Sequence, residues 1–334
     1  MSRRVLFHRT WPPNSPDVGT SGGQQKVRDA FEHVRSFPGF DPYVHFPPST
    51  QWHDHPGNVW LSYRAQALTE WKVLPGDILF LAGRDWAEMS LHPRAFPDNP
   101  VVAIAQPRHV RPEDIRLAHL RERAIRIAKS EAGRQILEAH GVNGPVICIP
   151  DAIDFSQLPA PNDEPAHDLF IVGVKNPQLA RTLKKRIEEK YGASLRVTIQ
   201  DAKLPTRQDF LRQLNDCRMA CFLPVPPEKG LEGFYLPALE AMVLGKLVIC
   251  PDAIGNRDFC LKGQTCIMPE YSLESYLSAI HHALKMSRVE RQEMLHTALQ
   301  HAQRHELEGE REAYRKLFSQ VDNLWADENL FWPR

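Results

Sequence analysis

The sequence predicts the α/β class, with parallel sheets joined by helical crossovers and two domains in series. Three observations carry this expectation. Short apolar runs alternate with amphipathic stretches almost from end to end, as repeated βαβ units require. A polar, proline-rich stretch over 156–165 interrupts the alternation, which then restarts, so it reads as a linker. A chain of 334 residues accommodates about two domains of roughly 150 residues each.

The elements follow in order. A first strand is expected at 5–7, then a loop rich in Pro, Ser and Gly that ends at Gly22-Gly23, then a helix over 24–34. Residues 40–57 hold four prolines and three histidines with no clear period, and read as an extended loop or insertion. Further strands are expected at 77–82, 101–105, 124–128 and 146–149, with helices at 113–123 and 131–140. After the linker, strands at 169–172, 195–199, 220–223 and 247–250 alternate with helices at 178–191, 207–215, 236–244 and 273–286. The tail from Val289 onward is helical. Tyr314, Leu317, Phe318, Val321, Leu324 and Trp325 recur at spacings of three and four and form one apolar stripe, expected to pack on the body of the protein together with Phe331 and Trp332.

Composition narrows the function. Lys plus Arg and Asp plus Glu number 41 each, and this balance argues against a protein built mainly to grip nucleic acid. The six cysteines form no Cys-x-x-Cys, and four of them lie in or beside apolar runs, which reads as reduced core thiols in a cytoplasmic protein. The N-terminal residues offer only three apolar positions before His8, so no secretory signal is expected, and no run approaches the ~20 apolar residues that span a bilayer. His53-Asp54-His55 lacks a third ligand at useful spacing and reads as a solvated loop. Segment 108–134 carries eight basic residues against four acidic ones. A solvated face is the default; contact with an acidic saccharide, or peripheral contact with the anionic inner face of a membrane, is the sharper alternative.

The most informative segment is 230–250, Gly-Leu-Glu-Gly-Phe-Tyr-Leu-Pro-Ala-Leu-Glu-Ala-Met-Val-Leu-Gly-Lys-Leu-Val-Ile-Cys. It reads as loop, helix, glycine stop and buried strand. Pro237 falls in the first helical turn, where its missing N–H costs nothing. The amides of Gly233, Phe234, Tyr235 and Leu236 therefore lie at a helix N-terminus, a ready site for an anion. Glu232 precedes that helix and Glu240 lies about one turn inside it. Two carboxylates so placed can accept from hydroxyl groups while the amides hold a phosphate, and a sugar nucleotide offers both.

Glu232 and Glu240, seven residues apart, resemble the Glu-x7-Glu region of retaining glycosyltransferases of the two-domain GT-B fold, in particular glycosyltransferase family 4. Three other stretches agree in order. Val146 to Asp154 is similar to the strand and "IPNGxD" turn that close the first domain. Phe170-Ile171-Val172-Gly173, with Lys175-Asn176, resembles the strand opening the second, and Ile254-Gly255-Asn256-Arg257-Asp258 resembles a later glycine-rich turn. The match covers about 146–268 and is architectural before that.

The resemblance implies two Rossmann-like domains facing a central cleft. Residues 1–155 would form the acceptor side, 156–310 would bind the nucleotide sugar, and 311–334 would return as a helix to the first domain. It implies transfer of a sugar from a nucleotide-diphosphate sugar to a hydroxyl of a glycan or glycolipid acceptor, with retention and with no separate cofactor. Glu232 would lie beside the transferred sugar, Glu240 would hold the ribose hydroxyls, and the amides of Phe234, Tyr235 and Leu236 with Lys175 would meet the diphosphate. Gly22 and Gly23 match the glycine-rich loop that admits a ligand close to the backbone.

The chain also departs from the family. Val174 stands where an Arg is usual, leaving Arg181, Lys184 or Arg257 to supply the missing positive charge. Tyr235 replaces a common glycine and would crowd the donor sugar. Gln106 occupies the place of a frequent His, with His109 three residues on as the catalytic alternative. The chain contains no Asp-x-Asp, the carboxylate pair with which the other main transferase fold holds a metal, so a metal-independent reaction is expected. A non-catalytic saccharide- or partner-binding protein of this fold, or another GT-B enzyme such as an inverting transferase or an epimerase, stays open.

Overall fold

A computed structural model describes residues 2–9, 22–52, 54, 57–83, 85–87 and 98–333. The chain divides into two compact units, Met1–Pro150 with Glu310–Arg334, and Asp151–Gly309. The architecture is α/β with two all-parallel sheets of six and four strands.

The first sheet has the order β2-β1-β3-β4-β5-β6, built from β1 (Arg3–His8), β2 (Phe40–His45), β3 (Ile78–Ala82), β4 (Val101–Ile104), β5 (Ile125–Ala128) and β6 (Val146–Cys148). All residues of β3 and β4 are buried, as befits central strands covered on both faces. Helix α1 (Gly22–Arg35) brings Val27, Ala30, Phe31 and Val34 to one core cluster, and α2 (Glu131–His140) brings Leu137 to another. Strand β2 corrects the expected 40–57 loop. It lies at the sheet edge beside β1, where Pro42, which has no N–H to donate, is tolerated.

The expected helix at 113–123 is also absent. Turns lead instead into a short 3₁₀ helix, Ala118–Arg121. The physical cause is Arg126, only 1% exposed, whose guanidinium takes the carbonyls of His119, Leu120 and Glu122 at 2.5–3.0 Å, along with those of Ala124 and Asn143. In a helix running through 123 the His119 carbonyl would accept from the Arg123 amide instead. Burial lowers the Arg126 guanidinium to about 10, and the ring of carbonyls satisfies its donors.

The second sheet has the order β10-β9-β7-β8, from β7 (His167–Val172), β8 (Val197–Gln200), β9 (Cys217–Phe222) and β10 (Leu247–Ile249). Its strand residues alternate between two cores. Phe170, Ala220, Phe222 and Val248 meet α4 (Arg207–Asn215), α5 (Leu236–Val243) and α7 (Arg288–Ala302). Leu169, Ile171, Met219, Cys221 and Ile249 meet α3 (Pro177–Tyr191) and α6 (Leu273–Lys285). All six cysteines carry free thiols, five of them buried.

Helix α8 (Leu307–Ala326) belongs from Glu310 onward to the first unit, where Tyr314, Leu317, Phe318, Val321 and Trp325 join its core. Phe331 is buried beside Trp325, with Arg123 stacked 3.9 Å above the Phe331 ring centre, whereas Trp332 is 43% exposed, contrary to the expected packing. Among the described residues no helix is long and apolar enough to cross a membrane.

Candidate functional site in the second unit

In the four-stranded sheet the order reverses between β7 and β9, and loops leaving the carboxyl ends of two such strands form the usual ligand crevice of an open parallel sheet. Residues 173–176 leave β7 and residues 223–235 leave β9. Gly173 is required because a Cβ there would lie 2.2 Å from the Cβ of Ala180, so α3 starts hard against the strand end. Asn176 caps α3 by accepting from the Leu179 amide at 3.2 Å, which leaves Lys175 on a short, exposed turn.

The two loops meet at Glu232. Its side chain, 7% exposed, takes a salt bridge from Lys175 Nζ and a hydrogen bond of 3.1 Å from the Val225 amide, both on Oε1. Lys175 Nζ also lies 5.4 Å from the ring centre of Tyr235. That ring is 3% exposed and packs edge-on against Phe222. The bulk that replaces glycine is therefore taken up in the core. Tyr235 directly precedes α5, and its amide is committed, donating to the Gly255 carbonyl at 3.2 Å. Expecting that amide to be open for an anion is corrected accordingly. The amides of Gly233, Phe234 and Leu236 make no hydrogen bond among the described residues, so three donors stay available at this helix end.

A second loop backs this segment. Ile254 has φ of 66° and the Gly255 amide donates to the Ala253 carbonyl at 2.8 Å, a tight three-residue turn that a β-branched residue adopts only under strain. Asn256, fully buried, holds the turn by donating to Pro251 O at 2.9 Å and accepting from the Ala253 amide at 2.9 Å. The turn in turn accepts from the Glu232 amide through Ala253 O at 3.3 Å. Gly255 touches the site directly, because a Cβ there would lie 2.6 Å from both Gly233 C and Phe234 N. Gly255→Ala is therefore expected to destabilise the fold by about 1–3 kcal/mol and to weaken anion binding at the same time. Thermal melting and a nucleoside diphosphate titration of the variant check this; two unchanged values would disconnect Gly255 from the site.

Arg257 is partnered on its own loop, bridging Asp252 through contacts of 2.6–3.1 Å. Arg181 pairs with Asp201 at 2.6 Å and Lys184 lies 3.6 Å from Glu188, so each of the three expected substitute charges has an acidic neighbour. Lys175 is the cation that reaches Glu232.

Glu240, in the middle of α5, is 3% exposed and meets Arg207 at the start of α4, with Nε 2.9 Å and a terminal nitrogen 2.7 Å from the same oxygen, Oε1. Burial raises the carboxyl above its ordinary value, and the guanidinium opposes that. Sequence reasoning missed Arg207. The Thr206-x-x-Asp209 capping box marks a helix start, but nothing local signals a partner 33 residues away.

The remaining expected site residues lie in the first unit. Gly22 and Gly23 are the first residues of α1 rather than loop residues, a correction, and a Cβ at Gly23 would meet open space. Close by in the chain, Gln24 accepts from Arg9 at 2.9 Å and from the Trp60 indole at 3.1 Å. Gln106 follows β4, and its amide donates to His109 Nδ1 at 3.3 Å, which places the imidazole proton on Nε2. His109 is 4% exposed, and burial, helped by Arg116 and Arg108, lowers it to about 3, so the ring is neutral. Its Nε2 has no partner among the described residues. Much of the basic segment is internally engaged: Arg126 and Lys129 are buried, Arg116 pairs with Asp114, and Arg134 bridges Glu131 and Glu138. His53 and His55 lie outside the described residues, and among the described ones no three His, Cys, Asp or Glu side chains group as a metal site.

Two α/β units with parallel sheets of six and four strands are the architecture of GT-B glycosyltransferase structures. The chain is similar to the sucrose-phosphate synthase of Thermosynechococcus elongatus (TM-score 0.69, 14% identity, 96% of this chain and 99% of that one). It is likewise similar to HepE of Anabaena, solved in complex with UDP and glucose (TM-score 0.69, 15% identity, 95% and 100%), and to the trehalose-6-phosphate synthase OtsA (TM-score 0.64, 12% identity, 96% and 99%). The sequence matches no protein-family profile and no curated protein. At these identities the likeness defines the fold.

Proposed function

We propose that this protein is a glycosyltransferase that takes a sugar from a nucleoside-diphosphate sugar and passes it to a hydroxyl of a glycan or glycolipid, with retention and without a metal. The observation that carries the reading is the Lys175–Glu232 pair beside the open amides of Gly233, Phe234 and Leu236, at the switch point of the second sheet. On this reading the amides and Lys175 receive the diphosphate, offsetting the charge that develops on the leaving group. Glu232 faces the transferred sugar, Glu240 holds the ribose, and Arg257 exchanges Asp252 for a phosphate oxygen. His109, held neutral with its proton on Nε2, keeps a hydrogen-bond donor within the first unit. The complexes of HepE with UDP-glucose and with UDP support testing uridine nucleotides first.

Calorimetry with UDP, GDP, ADP and TDP tests the donor site, and hydrolysis of the matching nucleotide sugar then tests turnover. Glu240→Ala is expected to weaken the best binder by on the order of tenfold or more, the size of a lost hydrogen bond to a charged group. Failure of every nucleotide to bind, or an unchanged affinity in the variant, rejects the corresponding assignment.

One observation favours a second reading, a binding protein without turnover. The Arg expected beside Gly173 is Val174, and Lys175 is already held by Glu232. Nucleotide binding without hydrolysis or transfer is its signature.

A further inference from the structure

The Arg207–Glu240 pair has an asymmetry that a structural ion pair does not need. A guanidinium and a carboxylate reach their strongest arrangement as a fork, with two nitrogens on two oxygens. Here both nitrogens converge on Oε1, at 2.9 and 2.7 Å, and Oε2 has no hydrogen-bond partner among the described residues. The carboxylate has lone pairs to spare, yet its side chain is only 4% exposed. Oε2 is not among the buried atoms that lack a partner, so it keeps a little solvent contact and is free to accept from an incoming donor.

The surroundings hold this geometry firmly. Arg207 is the first residue of α4, and its backbone is set by the capping box: Thr206 accepts from the Asp209 amide at 3.1 Å, while the Asp209 carboxylate accepts from the Thr206 amide at 3.1 Å and hydroxyl at 2.7 Å. Glu240 is fixed from the other side by α5, whose Ala238, Leu239, Ala241 and Met242 are all fully buried. The guanidinium is 23% exposed, so the pair borders solvent on the Arg207 side. Burial works against the charged form of Glu240, and Arg207 is the single group that works for it.

We propose that Arg207 is the positioning residue of the nucleotide site: by engaging Oε1 alone it orients the Glu240 carboxyl group and presents Oε2 to the ribose hydroxyls. This rests on the nucleotide-binding reading above and adds to it a residue that touches no ligand yet sets the preference for ribose over deoxyribose. Lysine at 207 would supply a point charge to one oxygen, which is all this geometry uses. Methionine would remove the charge and keep much of the side-chain volume.

The experiment is the ratio of dissociation constants for the best-binding ribonucleoside diphosphate and its 2′,3′-dideoxy analogue, measured by calorimetry on the full chain. Wild type is expected to favour the ribose form by on the order of tenfold or more. Arg207→Met should bring the ratio to within about twofold, with the dideoxy affinity little changed, and Arg207→Lys should restore most of the preference. A wild-type ratio retained in Arg207→Met overturns the inference, because a purely structural pair would change melting temperature and leave the discrimination alone. If Arg207→Met does not fold, the double variant Arg207→Met/Glu240→Gln, which leaves no unpaired charge, takes its place; discrimination preserved there is equally fatal. Failure of wild type to bind any nucleotide rejects the underlying nucleotide reading, discrimination kept in Arg207→Met rejects the role of Arg207 alone, and discrimination kept in the double variant rejects the ribose contact of Glu240 as well.

Discussion

Glu232→Gln is expected to lower turnover of the matching nucleotide sugar by on the order of 10²–10³-fold, the scale on which removing one preorganised electrostatic group acts. Nucleoside diphosphate affinity should hold or rise in the same variant. The reasons lie in the contacts. Glutamine keeps an amide oxygen that can accept from the Val225 amide, so the loop position survives. The charge is lost, however, and Lys175 is released from its salt bridge toward the diphosphate. Steady-state kinetics and calorimetry on the same preparation separate the two effects. Equal losses of turnover and affinity would refute a place for Glu232 beside the reacting sugar and assign it to simple loop structure.

The second large effect concerns stability. Glu310 stands in the first turns of α8 with its side chain fully buried, between Lys26 at 2.5 Å and Lys129 at 3.5 Å, whose side chains are 5% and 3% exposed. Lys129 also donates to the Tyr314 hydroxyl at 3.0 Å. Glu310→Ala would remove the buried carboxylate that Lys26 and Lys129 share, leaving Lys26 with Asp29 at 3.0 Å, and breaking a buried pair in this way costs about 3–5 kcal/mol. Denaturant unfolding of the full chain should show that loss in the unit that contains α8. A change below about 1 kcal/mol would mean that the lysines reach solvent readily.

The pH dependence follows with a definite sign. Burial alone would raise the Glu310 carboxyl, but Lys26 and Lys129 outweigh it and hold the group at about 2. Its folded value is thus depressed below the ordinary ~4.3 of an unfolded chain. The stabilisation is complete above that ordinary value and is lost as pH falls from it toward 2. Glu310→Gln should flatten this acid limb.

Particular residues show how far the sequence could be read. The continuous apolar runs of β3 and β4 announced buried parallel strands, because strands covered on both faces have no polar side to display. The stripe from Tyr314 to Trp325 announced a helix with one buried face, and five of its six residues are in the core. Pro237 just inside a helix start, after Glu232 and Gly233, pointed to the anion-receptive end of α5. Strand β2 was hidden by Pro42 and by proline-rich flanks, and only an edge position could accept it. The 113–123 stretch has helical spacing, but Arg126 claimed its carbonyls from beyond the segment.

The amino-acid sequence by itself determined the class of fold, most of the element positions and the Glu-x7-Glu segment that carries the candidate site. These depend on periodicity, on turn and cap chemistry and on side-chain spacing along one element, all of which are local. Tertiary structure alone decided the partners: Lys175 on Glu232, Arg207 on one oxygen of Glu240, Gly255 against the 233–234 peptide, and Lys26 and Lys129 on Glu310. Each of these joins residues more than twenty positions apart. Their energies come from burial and from the closing of distances, and neither exists until the sheets and helices have packed.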